Sequence, residues 1–221
     1  MSLPTLPKSN RVMKASTRRK KECLRTERYA VSAGCRNAGS LLIGVLLAVT
    51  PIASAAADSP SAAWEALAQG GHVALIRHAL APGIGDPPDF ALERCETQRN
   101  LSAQGRQQAR ALGEAFRERD IEIAAVYSSR WCRSLDTARL LDLGDVVPTP
   151  SLDSFFRDRS DADEQTARTR QLIAAWDRQA TLVMVTHQVN ISALTNSGVG
   201  SGDIVVVRPS GDRLDVVGRI R

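Results

Sequence analysis

Apolar residues gather in short runs that end abruptly in polar side chains, and between these runs the apolar positions recur at helical spacing. The first such run beyond residue 58 is His72-Val73-Ala74-Leu75-Ile76. It ends at Arg77-His78 and gives way to Leu80–Asn100, a stretch without periodicity that holds Pro82, Gly83, Gly85, Pro87 and Pro88. This predicts a buried strand that delivers two polar side chains into a long loop, and loops of that length in compact domains tend to carry function. Ile123–Ser128 is a second run and leads into Ser129-Arg130-Trp131-Cys132-Arg133, while Leu182–Thr186 leads into His187. Helical patterns lie at Ala62–Gln69, Ala103–Arg119 with Ser102 as cap, Ser134–Leu141 and Val189–Thr195. A Ser160-x-x-Asp163 capping box predicts a further helix to Arg178. Asp145–Pro148 is a short extended piece, and Asp203–Arg208 with Leu214–Gly218 form a terminal strand pair, the second at an edge.

The alternation of strands and helices predicts an α/β fold, three-layer αβα with a mainly parallel central sheet. Ligand sites in such sheets lie beyond the carboxyl ends of the strands. Arg77, His78 and His187 are therefore expected at one anion site, whereas His72, at the other end of its strand, is expected to pack or cap there. His78 and His187 have no third histidine nearby and no carboxylate at ligand spacing, so no metal site is expected.

The formal charge of +5 hints at nucleic acid until its distribution is examined. Residues 1–57 hold ten of the 29 basic and two of the 24 acidic residues, which leaves the rest of the chain net −3 and without aromatic-basic interleaving. Nucleic-acid binding is not expected. The basic stretch precedes Leu41–Val49, then Pro51 and the small-residue run Ala53–Ala57, the order of parts in a secretory signal peptide. Its apolar core is too short for a spanning helix. Residues 1–57 are thus expected to be a leader cleaved after Ala55 or Ala57, and residues 58–221 an exported domain, periplasmic or secreted, with no stable membrane span after cleavage. Cleavage removes Cys23 and Cys35 and leaves Cys95 and Cys132, whose pairing is expected in an oxidising compartment.

From Gly71 to Val207 the chain resembles the histidine phosphatase (phosphoglycerate mutase-like) superfamily. The likeness rests on Arg77-His78-Ala79 at the end of the first strand, on Leu101, Gly105, Gln108 and Ala109 at a helix start, on Ser129, Arg133, Thr137 and Ala138, and on the second strand-end histidine, His187. Ala79 stands where the family has glycine, a change that narrows the space beside the nucleophile without removing a reacting group. The resemblance implies a phosphoglycerate mutase-like fold, no cofactor, and a phosphohistidine intermediate on His78. Arg77, Arg133 and His187 would supply positive charge around the transferring group, the arginines through a planar fork that matches phosphate. Spacing to Thr137-Ala138 favours Arg133 over Arg130.

For the general acid the resemblance points to Asp153, because many members carry an acid in the loop after the third strand. Asp86, Glu93 and Asp158 are alternatives, and some short members work without a comparable acid. The aspartate that the acid phosphatase branch places after the second histidine is here Gln188. Either Phe155 and Phe156 close the core under their loop, or one of them walls the pocket. The expected activity is hydrolysis of a phosphorylated small molecule or a phosphorylated protein or envelope component, with selection by the loops at 80–100 and 152–158. The alternative is a non-catalytic phosphate-binding or regulatory protein that retains the pocket.

Overall fold

Strand β1 (Val73–Arg77) lies between β4 (Thr181–Thr186), with which it runs parallel, and β5 (Ile204–Ser210), with which it runs antiparallel. The computed structural model describes residues 59–221; the expected leader and its expected cleavage sites lie outside the described residues. The six strands are ordered β3-β2-β4-β1-β5-β6, with β2 (Ile123–Ser128) and β3 (Val146–Pro148) parallel to β4, and β6 (Arg213–Ile220) antiparallel to β5 at the edge. All six residues of β4 are buried. A parallel strand covered on both faces reads as a continuous apolar run, which is why β1 and β4 show no polar alternation.

The two faces bury separate sets of side chains at a period of two. Ala74, Ile76, Val183 and Val185 pack with Leu67 of α1 (Pro60–Ala68), Phe116 of α2 (Ala103–Arg117) and Leu141 of α3 (Cys132–Leu141). Leu75, Leu182 and Met184 pack with Ile173 of α4 (Ala162–Ala175) and with Ile191 and Leu194 of α5 (Gln188–Thr195). The result is three layers, αβα, as the pattern predicts. Ser102 caps α2 by accepting a hydrogen bond from the Gly105 N–H at 3.0 Å. Gly105 is required by a close approach: a Cβ there would run into the Leu80 carbonyl oxygen.

Two element boundaries differ from expectation in ways that matter. α3 begins at Cys132 rather than Ser134, so Arg133 stands in the first helical turn with its carbonyl accepting from the Thr137 hydroxyl at 2.7 Å. The Ser160-x-x-Asp163 capping box does not form. The Ser160 N–H instead donates to Asp158 Oδ1 at 2.9 Å, Asp161 takes the cap position without a side-chain bond, and α4 ends at Ala175 because Trp176 is extended. Short-range Asx bonding competes with the box and wins.

Register sets the site. Arg77 pairs with Thr186 and Ser128 with Val185, so β1, β4 and β2 end at one level. The next residues stay tied across the strands: the His78 N–H donates to the Thr186 carbonyl and the Ser129 N–H to that of Val185, both at 2.9 Å. His78, His187 and Ser129 therefore leave the sheet side by side.

Candidate active site

Beyond these strand ends lies a cavity of about 270 Å³ whose lining includes Arg77, His78, Arg133 and His187. The His78 ring is buried and donates Nδ1–H to the Ala79 carbonyl at 2.8 Å, which places the lone pair on Nε2, the nitrogen left for the cavity. The segment after His78 is held by the residues that carry the sequence likeness. The Ala79 N–H donates to Thr137 Oγ1 at 3.0 Å and the Leu80 N–H to Gln108 Oε1 at 3.0 Å.

His187 is the cap residue of α5, with its ring 5.4 Å from that of His78, centroid to centroid. Its Nε2 lies 2.8 Å from Ser129 Oγ, which in turn donates to Asp153 Oδ1 at 3.3 Å. With the hydroxyl proton directed at the carboxylate, Ser129 Oγ accepts from His187 Nε2–H, and this network assigns the tautomer. Burial pushes the His78 pKa down to about 3, and Arg133, Arg99 and Arg77 add to the fall. His187 is likewise held well below its ordinary value, by burial first and then by His78 and Arg133. Both rings are neutral at pH 7, and His78 Nε2 is unprotonated.

Arg133 meets Asp86 end-on, Nη1 to Oδ1 at 2.7 Å and Nη2 to Oδ2 at 3.2 Å, and both side chains are buried. Burial alone would raise the Asp86 pKa, but Arg133, the Arg99 N–H and the Trp131 indole N–H outweigh it and hold the carboxyl below its usual range. Arg77 gives Nη1–H to the Val199 carbonyl at 2.8 Å. The Nε atoms of Arg77 and Arg133 are both buried without a hydrogen-bond partner among the described residues. Arg77, Arg99 and Arg133 all line the cavity, and guanidinium groups gathered around one cavity suit an anion.

The structure does not bring Asp153 to this cavity. Its carboxylate accepts from Arg130 N–H at 2.8 Å and Arg130 Nε at 2.7 Å, besides Ser129. The backbone is extended at Asp153, so alternate side chains face opposite ways: Asp153 and Phe155 are buried, whereas Ser154 and Phe156 line the cavity. Of the two expectations for the phenylalanines, the structure gives the one in which a single residue, Phe156, walls the cavity. Arg130, the rejected candidate for phosphate, binds Asp153 instead. Of the other acid candidates Asp86 alone lines the cavity, and Glu93 and Asp158 do not. Asp153→Asn is expected to slow aryl and alkyl phosphates alike, by about 10-fold, since it disturbs the orientation of Ser129 and His187. Steady-state rates on both ester types check this, and a loss confined to alkyl esters would return the acid role to Asp153.

Sequence reasoning missed Arg99, Phe90 and Trp131. Phe90 stacks on Trp131 at 5.1 Å, and Trp131 meets the His187 ring edge-on at 5.5 Å. An aromatic residue inside a strand-end polar segment was the available signal for Trp131. Its partner, in a loop without periodicity, gave none. Cys95 and Cys132 are joined by a disulfide with Cα atoms 5.7 Å apart, immediately before Arg133.

Residues 73–158 match the histidine phosphatase superfamily (branch 1). His78, Arg77 and Arg133 fall inside the matched histidine phosphatase segment, and His187 lies beyond it. No curated protein matches the chain in sequence. Among solved structures, the protein histidine phosphatase SixA complexed with tungstate is similar with a TM-score of 0.51 and 15% identity, over 67% of this chain and 96% of that one. Phosphoserine phosphatase from Entamoeba histolytica, in complex with 3-phosphoglyceric acid, is similar with a TM-score of 0.50 and 15% identity, over 68% of this chain and 96% of that one. The shared feature is the fold: helices on both faces of a mostly parallel sheet.

Proposed function

We propose that this protein is a phosphatase that passes a phosphoryl group first to His78 and then to water. One observation carries the reading. The imidazole of His78, with Nε2 unprotonated, lines one cavity together with the guanidinium groups of Arg77, Arg99 and Arg133. Phosphoryl transfer asks little covalent chemistry of a protein beyond an in-line nucleophile and fixed positive charge. His78 Nε2 forms a bond to phosphorus as the ester P–O bond breaks, and the leaving oxygen departs with the electron pair. A water oxygen then attacks phosphorus, the P–N bond breaks, inorganic phosphate leaves, and the water proton passes to solvent.

His187 takes its part only with an anion bound. A neighbouring negative charge favours the protonated ring, so substrate counteracts the burial and cationic field that keep His187 neutral. The backbone N–H groups at the start of α5, where Gln188 and Val189 line the cavity, add donors for the same oxygens. The signal-peptide-like order of residues 1–57 supports export, and the domain from residue 58 would then act in the periplasm or outside the cell on a phosphorylated small molecule or a phosphorylated protein or envelope component.

Rapid-quench labelling with a phosphorus-labelled substrate tests the mechanism. The expected result is an acid-labile, base-stable phosphoprotein that maps to the peptide containing His78. Turnover without any such species refutes covalent transfer, and tight phosphate binding without turnover leaves a binding protein.

A further inference from the structure

From the chemistry of the leaving-group side of the cavity, we infer that the substrate is an aryl phosphate, a phosphorylated phenol such as a tyrosine side chain, rather than an alkyl ester. This rests on the phosphatase reading above and narrows it. Two independent observations carry it. The first concerns proton supply. Asp86 is the single carboxylate among the described residues lining the cavity, and it is locked end-on to Arg133 with further hydrogen bonds from Arg99 and Trp131, an arrangement that stabilises its ionised form. Where the loop after β3 meets the cavity, the side chains presented are Ser154, Phe156 and Arg157, none of them an acid near pH 7. A leaving group here departs without a carboxylic proton donor. Phenol oxygens, at a pKa of about 10, leave as anions far more readily than alcohols, which lie nearer the value of about 16 for water.

The second observation is the shape and polarity of the walls. Above His187 the stacked pair Phe90 and Trp131 presents aromatic surface to the cavity. Four large apolar side chains stand exposed among the described residues, and two of them, Ile84 at 91% and Phe156 at 50%, line this cavity. Isolated exposed apolar residues need no explanation, but their convergence on the mouth of a polar pocket does. A planar apolar leaving group would cover this surface, with its phosphate on the arginines below. In the first step the aryl P–O bond breaks as P–Nε2 forms, the phenolate leaves with the electron pair, and it takes a proton from water.

The test compares kcat/KM of the intact protein for a phosphotyrosine peptide, substituted phenyl phosphates, glycerol phosphate, a phosphohistidine peptide and acetyl phosphate, the last as a small donor that needs neither acid nor wall. Aryl esters should exceed glycerol phosphate by about 10³-fold, the scale of a missing general acid, with rates rising steeply as phenol pKa falls. Phe90→Ala should lower the ratio of aryl to acetyl phosphate rates by about 10-fold, with Phe90→Tyr restoring it. Aryl and alkyl rates within 10-fold of each other, a phosphohistidine peptide preferred over aryl esters, or an unchanged ratio in Phe90→Ala would overturn the assignment while labelling of His78 by acetyl phosphate still stands. Failure of acetyl phosphate to label His78 would sink the phosphatase reading itself, and this inference with it.

Discussion

His78→Ala is expected to lower kcat by about 10⁵-fold, the scale on which enzymes lose rate when a covalent nucleophile is deleted. The ring is buried, neutral and bound to the protein through a single hydrogen bond from Nδ1 to the Ala79 carbonyl. Its removal therefore takes away the reacting nitrogen without unpairing a charge. The arginines are held by other groups: Arg77 by the Val199 carbonyl and Arg133 by Asp86. The anion site should survive, and calorimetric titration with inorganic phosphate should give a Kd within 10-fold of the wild type. The pairing of these two results is diagnostic. Retention of more than a tenth of the rate would rule out nucleophilic catalysis at His78, and loss of phosphate affinity together with rate would point to a collapsed pocket.

The strand ends were legible because the chemistry sits where apolar runs stop: Ile76 before Arg77-His78 and Val185-Thr186 before His187, two neighbouring parallel strands in matched register. The positions that carry the family likeness were legible for another reason. Gly105, Gln108 and Thr137 do not line the cavity. They fix the backbone after His78, through the close approach of α2 to Leu80 and through hydrogen bonds to the N–H groups of Leu80 and Ala79. Pairings across long sequence separations were not legible. Asp86 and Arg133 are 47 residues apart, and nothing in either segment shows that the carboxylate completes the arginine fork. The Asp153 expectation turned on a single residue of alternation in an extended segment, since a one-residue change of register exchanges what is buried for what faces the cavity. Ser154, not Asp153, stands at the wall.

Loss of the Cys95–Cys132 bond should weaken fold and site together. Cys95 opens a short 3₁₀ turn in the long loop after His78, and Cys132 opens α3 next to Arg133. The same junction carries a hydrogen bond from the Cys132 N–H to Gln98 Oε1 at 2.9 Å, with Gln98 Nε2 donating in turn to the Leu92 carbonyl at 2.8 Å. The loop so tied includes Asp86, Phe90 and Arg99, all of which line the cavity. Closing 37 residues confines the unfolded chain by roughly 4 kcal/mol in the chain-entropy account, a large share of the 5–15 kcal/mol typical of a domain. At this chain length that corresponds to a fall in Tm of about 10 °C. The Cys95→Ser, Cys132→Ser double variant, compared with the oxidised protein by calorimetry and steady-state kinetics, should show that fall and a KM raised at least several-fold, because the loop bearing Asp86 and Arg99 is no longer anchored beside Arg133. A Tm lowered with KM unchanged would mean that the hydrogen bonds of Gln98 hold the loop unaided. Neither effect would mean that the bond is dispensable to both fold and site.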